Sequence, residues 1–436
     1  MILADRFHYP PDYEDRYLSL LDKAFTHVPL YRQWQQALPS QLDSWTANLD
    51  GLPVLTKADM RTQFPLGLMP DWQSLDAGLR SEAIEYTFTS GTTAEKVVNI
   101  WDQDWWNRSE VASWKLNSKL AALSYPQKQA KLASSLNVGI NCEEDLPFSH
   151  RVLGNTLYLN EKTSVLQWQP RHLKRMIDEL NDFQPVILEA NPSLLARLAY
   201  WAVDHQMSVF SPQSIIFTFE FPSAIHLAAI QQVFSSNLVS SYGTTETGFV
   251  MEQCEHGLMH QNTDFCRIDF VPLKPEHGGP QLGRIFVTTF DNPWNWIIRF
   301  DVGDLVRLHG DGSCQCGRSQ GMIVEAVEGR VGNVMFATDG RLVTTKELDD
   351  NLAQIGFVRD YHLAQQSRSE YLLEVTLAPD AEHNSTKDRL LAGLQSVFGY
   401  DGSYDIQIVA DILPGPAGKY RRTQADFDFD ESRLFL

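Results

Sequence analysis

The feature that most constrains the fold is an alternation of short apolar runs and amphipathic segments over residues 105–240. The runs Pro185–Ala190 and Ser214–Phe219 have the length and composition of buried strands, and each leads into a helix. Arg171–Leu180 has apolar residues at helical spacing, and Leu238–Tyr242 adds a further strand. Strands that are separated by helices are typical of a mostly parallel sheet with helices on its faces.

The rest of the chain divides into regions of different character. Residues 1–80 are irregular and helical, residues 265–325 contain strand-like runs punctuated by Gly and Pro, and the sequence Glu328-Gly329-Arg330 forms a glycine-centred junction. We therefore predict an α/β fold in which residues 1–329 form a domain of helix-covered sheets with a β-rich subdomain. Residues 330–436 are expected to form a small α+β domain.

The composition excludes several classes of function. The chain has 36 Lys and Arg against 55 Asp and Glu, which gives a net charge of −19. This charge argues against a broad basic surface for duplex nucleic acid and against binding to an anionic membrane. We see neither an apolar run of membrane-spanning length nor a secretory signal, and the odd number of cysteines, 5, indicates reduced thiols. We expect a cytoplasmic protein.

Two polar turns are candidates for phosphate binding. The residues Thr89–Thr93 (TSGTT) join two strand-like segments, and small hydroxyl residues allow backbone amides to approach a phosphate. A plain hairpin turn explains this segment equally well. The residues Ser241–Glu246 (SYGTTE) end a predicted parallel strand, where α/β proteins bind ligands. A carboxylate such as Glu246 suits Mg²⁺ that carries nucleotide phosphates, whereas the alternative is an ordinary capped turn.

Three further positions carry chemistry-bearing side chains. Asp304 follows a glycine in a predicted strand and could accept hydrogen bonds from two ribose hydroxyls. Arg330 lies at the predicted domain junction. Lys419 lies on a Pro- and Gly-rich loop near the C-terminus, where it is either a surface cation or a charge that reaches an active site.

Taken in order, these motifs resemble those of the adenylate-forming superfamily, which includes acyl-CoA synthetases, adenylation domains of peptide synthetases and luciferases. The resemblance covers about residues 50–425. Within the superfamily, the residues Leu52–Lys57 (LPVLTK), Cys314–Arg318 (CQCGR) and the modest chain length resemble the phenylacetate–CoA ligase-like branch.

The resemblance implies a two-step ligase. A carboxylic acid, expected to be aromatic, would attack the α-phosphate of Mg²⁺-bound ATP to give acyl-AMP and pyrophosphate. Coenzyme A, a carrier protein or another acceptor would then take the acyl group. The attacking carboxylate is already ionised, so no general base is needed. The small C-terminal domain would be mobile and would rotate between the two steps.

The resemblance also implies roles for individual residues. Thr245 would contact the α-phosphate, Glu246 would hold Mg²⁺, and Lys419 would bridge the acyl carboxylate and the α-phosphate. Residues that would bind ATP are Thr89, Ser90, Gly91, Thr92, Thr93, Lys96, Tyr242, Gly243, Thr244, Asp304 and Arg330. Residues that would line the acyl pocket are Asn137, Gly139, Phe219 and Phe221, although core packing explains the two phenylalanines equally well.

Some residues depart from the family pattern. Ala94 and Glu95 replace residues that favour phosphate binding, and Val331–Asn333 lacks the usual acidic hinge residue. An alternative function is therefore a nucleotide-binding sensor or assembly partner that has lost turnover.

The cysteines suggest a separate metal site. Cys254, His260, Cys314 and Cys316 have the ligand types of a four-coordinate structural zinc ion. His256 competes with His260 as the fourth ligand, and two pairs of reduced thiols are the alternative. We expect Cys142 and Cys266 to be simple thiols.

Overall fold

The computed structural model describes residues 7–38, 49–71, 73–88, 97–123, 126–135, 142–310, 312–415 and 418–436. In these ranges the helices are α1 (Tyr13–His27), α2 (Pro29–Gln36), α3 (Lys57–Gln63), α4 (Gln73–Arg80), α5 (Gln103–Trp114), α6 (Ser118–Ala121), α7 (Phe148–Arg151), α8 (Pro170–Phe183), α9 (Pro192–Asp204), α10 (Ala224–Val233), α11 (Thr345–Ala353) and α12 (His383–Phe398).

The strands of the same ranges are β1 (Ile84–Phe88), β2 (Val98–Asp102), β3 (Gln129–Leu132), β4 (Val152–Leu153), β5 (Thr156–Tyr158), β6 (Ile187–Ala190), β7 (Ser214–Phe217), β8 (Asn237–Thr244), β9 (Gly248–Gln253), β10 (Met259–Gln261), β11 (Cys266–Pro272), β12 (Leu282–Thr289), β13 (Phe300–Leu308), β14 (Ile323–Arg330), β15 (Met335–Phe336), β16 (Leu342–Val343), β17 (Val358–Ser367), β18 (Glu370–Leu377), β19 (Ser403–Ile408) and β20 (Thr423–Ala425).

The chain divides into two units, and the first consists of residues 1–122, 241–271 and 283–326. Here β1 and β2 form an antiparallel pair. The end of β8 pairs antiparallel with β9, β9 pairs with β10, and β10 pairs with β14. Helix α5 begins after Asp102, whose carboxylate accepts a hydrogen bond from the Trp105 amide, as expected for an N-cap.

The second unit consists of residues 123–240, 272–282 and 327–436. Strands β3, β6, β7 and the start of β8 run parallel, and β5 joins β3 on the other side. Helices α8 and α9 supply buried leucine, isoleucine and alanine side chains that pack with the apolar face of these strands. The predicted mixed α/β fold with a parallel, helix-covered sheet is confirmed.

The C-terminal residues of the second unit form a separate four-stranded sheet. Strand β17 pairs antiparallel with β18, while β19 and β20 run parallel to β18 and β17. Helices α11 and α12 pack on it, and the core that they share includes Ile225 of α10. The Asp349 carboxylate of α11 accepts hydrogen bonds from the Ser223 hydroxyl and the Ala224 amide at the start of α10, both at 2.6 Å.

Two helices begin at polar capping residues. Thr56 and Asp59 form a reciprocal capping box at the start of α3. The Asn191 side chain accepts hydrogen bonds from the amides of Ser193 and Leu194 at the start of α9. In contrast, the predicted glycine-centred junction at Gly329 lies within β14, so the strand continues to Arg330.

Among the described residues, no helix combines the length and the apolar character that crossing a lipid bilayer requires.

A buried cluster of charges stabilises the second unit. The Arg151 side chain is 1% exposed and donates to the carbonyls of Leu146 and Tyr158, each at 2.8 Å, and to the Glu179 carboxylate. Asp145, which is also buried, accepts a hydrogen bond from Arg175 at 3.1 Å. Removing one member of a buried ion pair leaves its partner uncompensated in a medium of low polarity.

We expect Arg151→Ala to lower the free energy of unfolding by about 3–5 kcal/mol, because Glu179 would keep only its longer contact with Arg175, at 3.3 Å, and two buried carbonyls would lose their donor. Urea unfolding followed by fluorescence measures the effect. The exposed ion pair between Arg171 and Glu144 offers a matched control, and Arg171→Ala should cost about 0–1 kcal/mol. Equal losses of stability in the two variants would show that the buried cluster contributes no more to the free energy of unfolding than an exposed ion pair does.

Candidate functional site

Two of the predicted nucleotide-binding side chains contact each other in the first unit. The Tyr242 hydroxyl, on β8, donates a hydrogen bond to Asp304 Oδ2, on β13, at 2.8 Å. Asp304 is 8% exposed and follows Gly303, whose φ of 79° lies in the region that favours glycine. The Gly303 amide donates to Asp301 Oδ1 at 3.0 Å, which fixes the turn of the strand just before Asp304.

The SYGTTE motif forms the turn of a β-hairpin. Strand β8 continues to Thr244, two residues beyond the predicted end, and Thr244 pairs with Gly248 at the start of β9. A side chain at position 243 would lie 2.1 Å from the Gly248 carbonyl oxygen, so only glycine fits there. The hydroxyls of Thr244 and Thr247 are 3.0 Å apart and close the turn. Thr245 and Glu246 therefore lie at its tip.

Glu246 is buried at this tip, with 5% of its surface exposed. Burying a carboxylate is unfavourable unless a partner compensates its charge, and a cation is one such partner. Mg²⁺ prefers one or two carboxylates together with phosphate oxygens, so this residue fits the predicted metal.

The sequence analysis missed a buried carboxyl group next to the motif. Glu252 on β9 is fully buried and accepts a hydrogen bond from the Ser241 hydroxyl at 2.6 Å. Burial raises the pKa of Glu252 to about 8, although hydrogen bonds from Ser241 and Ser113 oppose the shift. Burial therefore favours the protonated form of this carboxyl group. The sequence does contain a signal for this burial, because Glu252 stands in β9 (GFVMEQ), a strand that is otherwise almost entirely apolar.

The predicted phosphate turn and part of the predicted acyl pocket fall on residues that the structure does not describe. Thr89, Ser90, Gly91, Thr92, Thr93 and Lys96 lie outside the described residues, as do Asn137 and Gly139 of the predicted acyl pocket. The flanking strands are described, and Phe88 pairs with Val98 at the end of the antiparallel ladder of β1 and β2.

In the second unit, the predicted acyl residue Phe219 lies at the centre of a strained turn, and Phe221 follows the turn. The Glu220 amide donates to the Thr218 carbonyl at 2.9 Å, and Phe219 between them has a φ of 75°. A hydrogen bond from residue i+2 to residue i around a positive φ is the rare form of the γ-turn. Such a conformation is unfavourable for a phenylalanine and is common at functional sites.

The loop of Lys419 binds to this turn. The Tyr420 amide donates to Glu220 Oε1 at 3.0 Å, and the Ser193 hydroxyl donates to Glu220 Oε2 at 2.8 Å. Lys419 itself is half-buried. The structure therefore places the predicted catalytic lysine next to the predicted acyl segment.

Arg330 also belongs to the second unit, where it is half-buried at the end of β14. Its neighbour Gly329 has a φ of 111°, and a Cβ at that position would lie 2.9 Å from the Thr345 hydroxyl. The adjoining Glu328 accepts a hydrogen bond from the Thr344 hydroxyl at 2.6 Å. The close approach of α11 therefore requires a glycine at position 329.

The four predicted zinc ligands form one cluster in the first unit. The ligand atoms of Cys254, His260, Cys314 and Cys316 all lie within 4.8 Å of one another. The sulfur atoms of Cys254 and Cys314 are 3.7 Å apart, and Cys316 Sγ is 3.3 Å from His260 Nε2. His256 contributes only a backbone amide to Cys254, so His260 is the histidine of the cluster.

The chemistry of this donor set fits Zn²⁺. Burial lowers the pKa of His260 to about 4, so its imidazole is neutral, which is the form that binds metals. Its Nδ1 atom is buried and has no partner among the described groups. Three thiols and one imidazole are a common ligand set of structural zinc sites. Cys142 and Cys266 are free thiols outside the cluster, as predicted.

Comparisons with known proteins agree with the fold. No family model matches the chain. Protein CapK of Staphylococcus aureus is 20% identical over 385 residues, which are 86% of this chain and 80% of CapK.

Two solved structures are informative. 2-Hydroxyisobutyryl-CoA ligase, in the postadenylation state in complex with R3-HIB-AMP, superposes with a TM-score of 0.71 at 17% identity, over 98% of this chain and 92% of the ligase. The anthranilate CoA ligase AuaEII, in complex with anthranoyl-AMP, gives a TM-score of 0.53 at 14% identity, over 77% and 65% of the two chains. The chain therefore has the fold of the adenylate-forming enzymes that its motifs predicted.

Proposed function

We propose that the chain is an ATP-dependent enzyme that joins a small carboxylic acid to AMP, releases pyrophosphate and passes the acyl group to coenzyme A or another acceptor. The observation that carries the proposal is the hydrogen bond between Tyr242 and Asp304. It joins two motifs that were assigned to nucleotide binding from the sequence, although they lie 62 residues apart. Glu246 at the tip of the adjoining hairpin supports the same assignment.

The proposed roles follow from charge and position. Asp304 accepts hydrogen bonds from the ribose hydroxyls, while Tyr242 lies near the adenine and holds Asp304 in place. Glu246 holds Mg²⁺, which neutralises charge on the phosphates. A carboxylate and a phosphate repel each other, so the Lys419 ammonium lowers the barrier by compensating the negative charge that develops between them. Thr245 contacts the α-phosphate.

The acid is proposed to be aromatic. The Phe219 ring is 38% exposed at the γ-turn, so it offers a flat apolar surface next to the Lys419 loop. AuaEII, which binds anthranoyl-AMP, supports this choice, whereas the hydroxyisobutyryl ligase supports a small hydroxy acid.

We also propose four further properties of the chain. These are membership of the phenylacetate–CoA ligase-like branch, a mobile C-terminal domain that begins at residue 330, a structural Zn²⁺ ion and a cytoplasmic location. Zinc bound to the purified protein would support the metal site. A protease-sensitive site near residue 330 would support the mobile domain.

The test of the function is ATP–pyrophosphate exchange with a panel of aryl, hydroxy and aliphatic acids, with and without coenzyme A. Exchange that requires both ATP and an acid supports the proposal, and consumption of coenzyme A identifies the acceptor. ATP binding without exchange for any acid would favour the alternative of a nucleotide-binding sensor. Hydrolysis of ATP that is independent of an acid would overturn both.

We expect Asp304→Ala to raise the KM for ATP by at least about tenfold, with a smaller change in kcat, because each hydrogen bond to a charged group that is lost removes roughly 1.5–3 kcal/mol. Steady-state kinetics with varied ATP measures the change. Glu325→Gln, an exposed carboxylate on β14, is the control. An unchanged KM in Asp304→Ala would remove this residue from the nucleotide site.

A further inference from the structure

We propose that Glu220 is a positioning residue for Lys419: it binds the backbone of the lysine loop and thereby sets the place of the ammonium group during acyl-AMP formation. The inference rests on the proposed function, since it assigns Glu220 to the first half-reaction. It also makes a prediction about the loop itself that does not depend on activity.

The peptide group that follows Lys419 is held by hydrogen bonds at both its N–H and its carbonyl oxygen. The peptide group between Lys419 and Tyr420 donates its N–H to Glu220 Oε1 at 3.0 Å. Its carbonyl oxygen accepts a hydrogen bond from the Gly415 amide at 2.9 Å. A peptide group held at both ends defines the direction in which the Lys419 side chain leaves the backbone. Glu220 therefore acts on the lysine through the backbone.

The Glu220 carboxylate is itself held in place by hydrogen bonds. Its Oε2 atom accepts a hydrogen bond from the Ser193 hydroxyl, which in turn accepts one from Arg422 at 3.1 Å. Arg422 is buried and bonds to the Asp360 carboxylate at 2.5 Å. Burial alone would raise the pKa of Asp360, but Arg422 and His226 hold it well below its usual value. The ion pair of Arg422 and Asp360 therefore holds Ser193 in place, and Ser193 in turn holds Glu220.

The backbone conformation next to Glu220 also supports the inference. The γ-turn at Phe219 is unfavourable by itself, and strained conformations persist only where several contacts impose them. The bonds of Glu220 to Ser193 and Tyr420 supply such contacts. The same turn leaves the Phe219 ring exposed, so the segment that holds the lysine loop also presents the proposed acyl surface.

The side chain of Tyr420 anchors the loop further. It is 8% exposed in the core cluster that contains β3, β6 and β7, and its hydroxyl accepts a hydrogen bond from Arg197 at 3.1 Å. The Tyr420 anchor orients the residue, whereas the Glu220 bond fixes the peptide that carries Lys419. Removal of Glu220 should therefore loosen the lysine without unfolding the unit.

The test combines Glu220→Ala with Lys419→Ala. Because a displacement of about 1 Å can cost about 10²-fold in rate, we expect Glu220→Ala to lower kcat for ATP–pyrophosphate exchange by about 10–100-fold. Glu220→Gln keeps an oxygen that can accept from Tyr420, so it should recover most of the rate. In the Lys419→Ala background, Glu220→Ala should change the remaining rate by less than about twofold, because the residue acts through the lysine.

The second half-reaction provides an internal control. At saturating acyl-AMP, the maximal rate of acyl transfer to the acceptor should change by less than about twofold in Glu220→Ala, because a disturbed acyl surface at Phe219 would alter the KM for acyl-AMP instead. Glu370→Gln, an exposed carboxylate of β18, should leave both half-reactions unchanged. Equal losses in the two half-reactions, or additive losses in the double variant, would overturn the inference.

Hydrogen–deuterium exchange separates this inference from the proposed function. In Glu220→Ala, peptides that cover residues 412–422 should exchange at least about tenfold faster than in the wild type, while peptides of α12 should not change. Unchanged exchange of residues 412–422 would overturn the inference whether or not the wild type has activity. Absence of acid-dependent pyrophosphate exchange in the wild type, with faster deuterium exchange in the variant, would overturn only the proposed function.

Discussion

Replacement of Lys419 by alanine is expected to lower acid-dependent ATP–pyrophosphate exchange by about 10²–10³-fold, the loss that is typical when one charge-stabilising donor is removed from an active site. The ammonium group is proposed to act only where the acyl carboxylate meets the α-phosphate. Its removal should therefore lower kcat far more than it raises the KM for ATP or for the acid.

The controls for this prediction separate charge from geometry. Lys419→Arg keeps the positive charge on a longer, planar group, so we expect partial activity. Lys387→Ala removes an exposed lysine of α12 and should behave as the wild type. If Lys419→Ala activated acids as well as the wild type did, the assignment of the lysine would be wrong, while the nucleotide assignment of Tyr242 and Asp304 would stand.

Local features of the structure were predictable from the sequence. The strands β6, β7 and β8 depend on residues that are close together in the chain, and each was found where it was predicted, with ends that differ by at most two residues. The amphipathic pattern of Arg171–Leu180 likewise predicted α8, although the helix extends to Phe183. Short-range signals of this kind need no knowledge of tertiary structure.

Features that depend on tertiary contacts were not predictable. Glu220 and Tyr420 are 200 residues apart in the chain, and no local pattern indicates that one binds the amide of the other. The position of Glu252 in an apolar strand is visible in the sequence, but its complete burial is not. That burial raises its pKa, although the hydrogen bond from Ser241 opposes the shift.

The zinc cluster lies between these two cases. The ligand types could be predicted because three cysteines and a histidine at these spacings are unusual in a protein with few cysteines. The choice between His256 and His260 could not, since it depends on the register of β10. In that register His260 pairs with Ile323 of β14. His256 instead lies in the turn that precedes β10, where only its backbone amide reaches Cys254.

The second large effect is expected at this cluster. Purified protein should contain about one zinc ion per chain, and Cys316→Ser should reduce that content to well below one half, because a hydroxyl is a poor substitute for a thiolate ligand. Loss of a structural metal is among the few single changes that cost more than about 4 kcal/mol. We therefore expect Cys316→Ser, or treatment of the wild type with a strong chelator, to lower the stability of the first unit by at least that amount.

Metal analysis and urea unfolding measure the two parts of this prediction. Cys142→Ser removes a thiol that lies outside the cluster, so zinc content and stability should stay close to those of the wild type. His256→Ala should also retain zinc, whereas His260→Ala should lose it, since only the His260 ring lies beside the three sulfur atoms. Wild-type protein that is free of zinc and equally stable before and after treatment with a chelator would contradict the proposal. The four residues would then be three metal-free cysteines and a histidine near Arg318, which bonds to Glu255 at 3.1 Å.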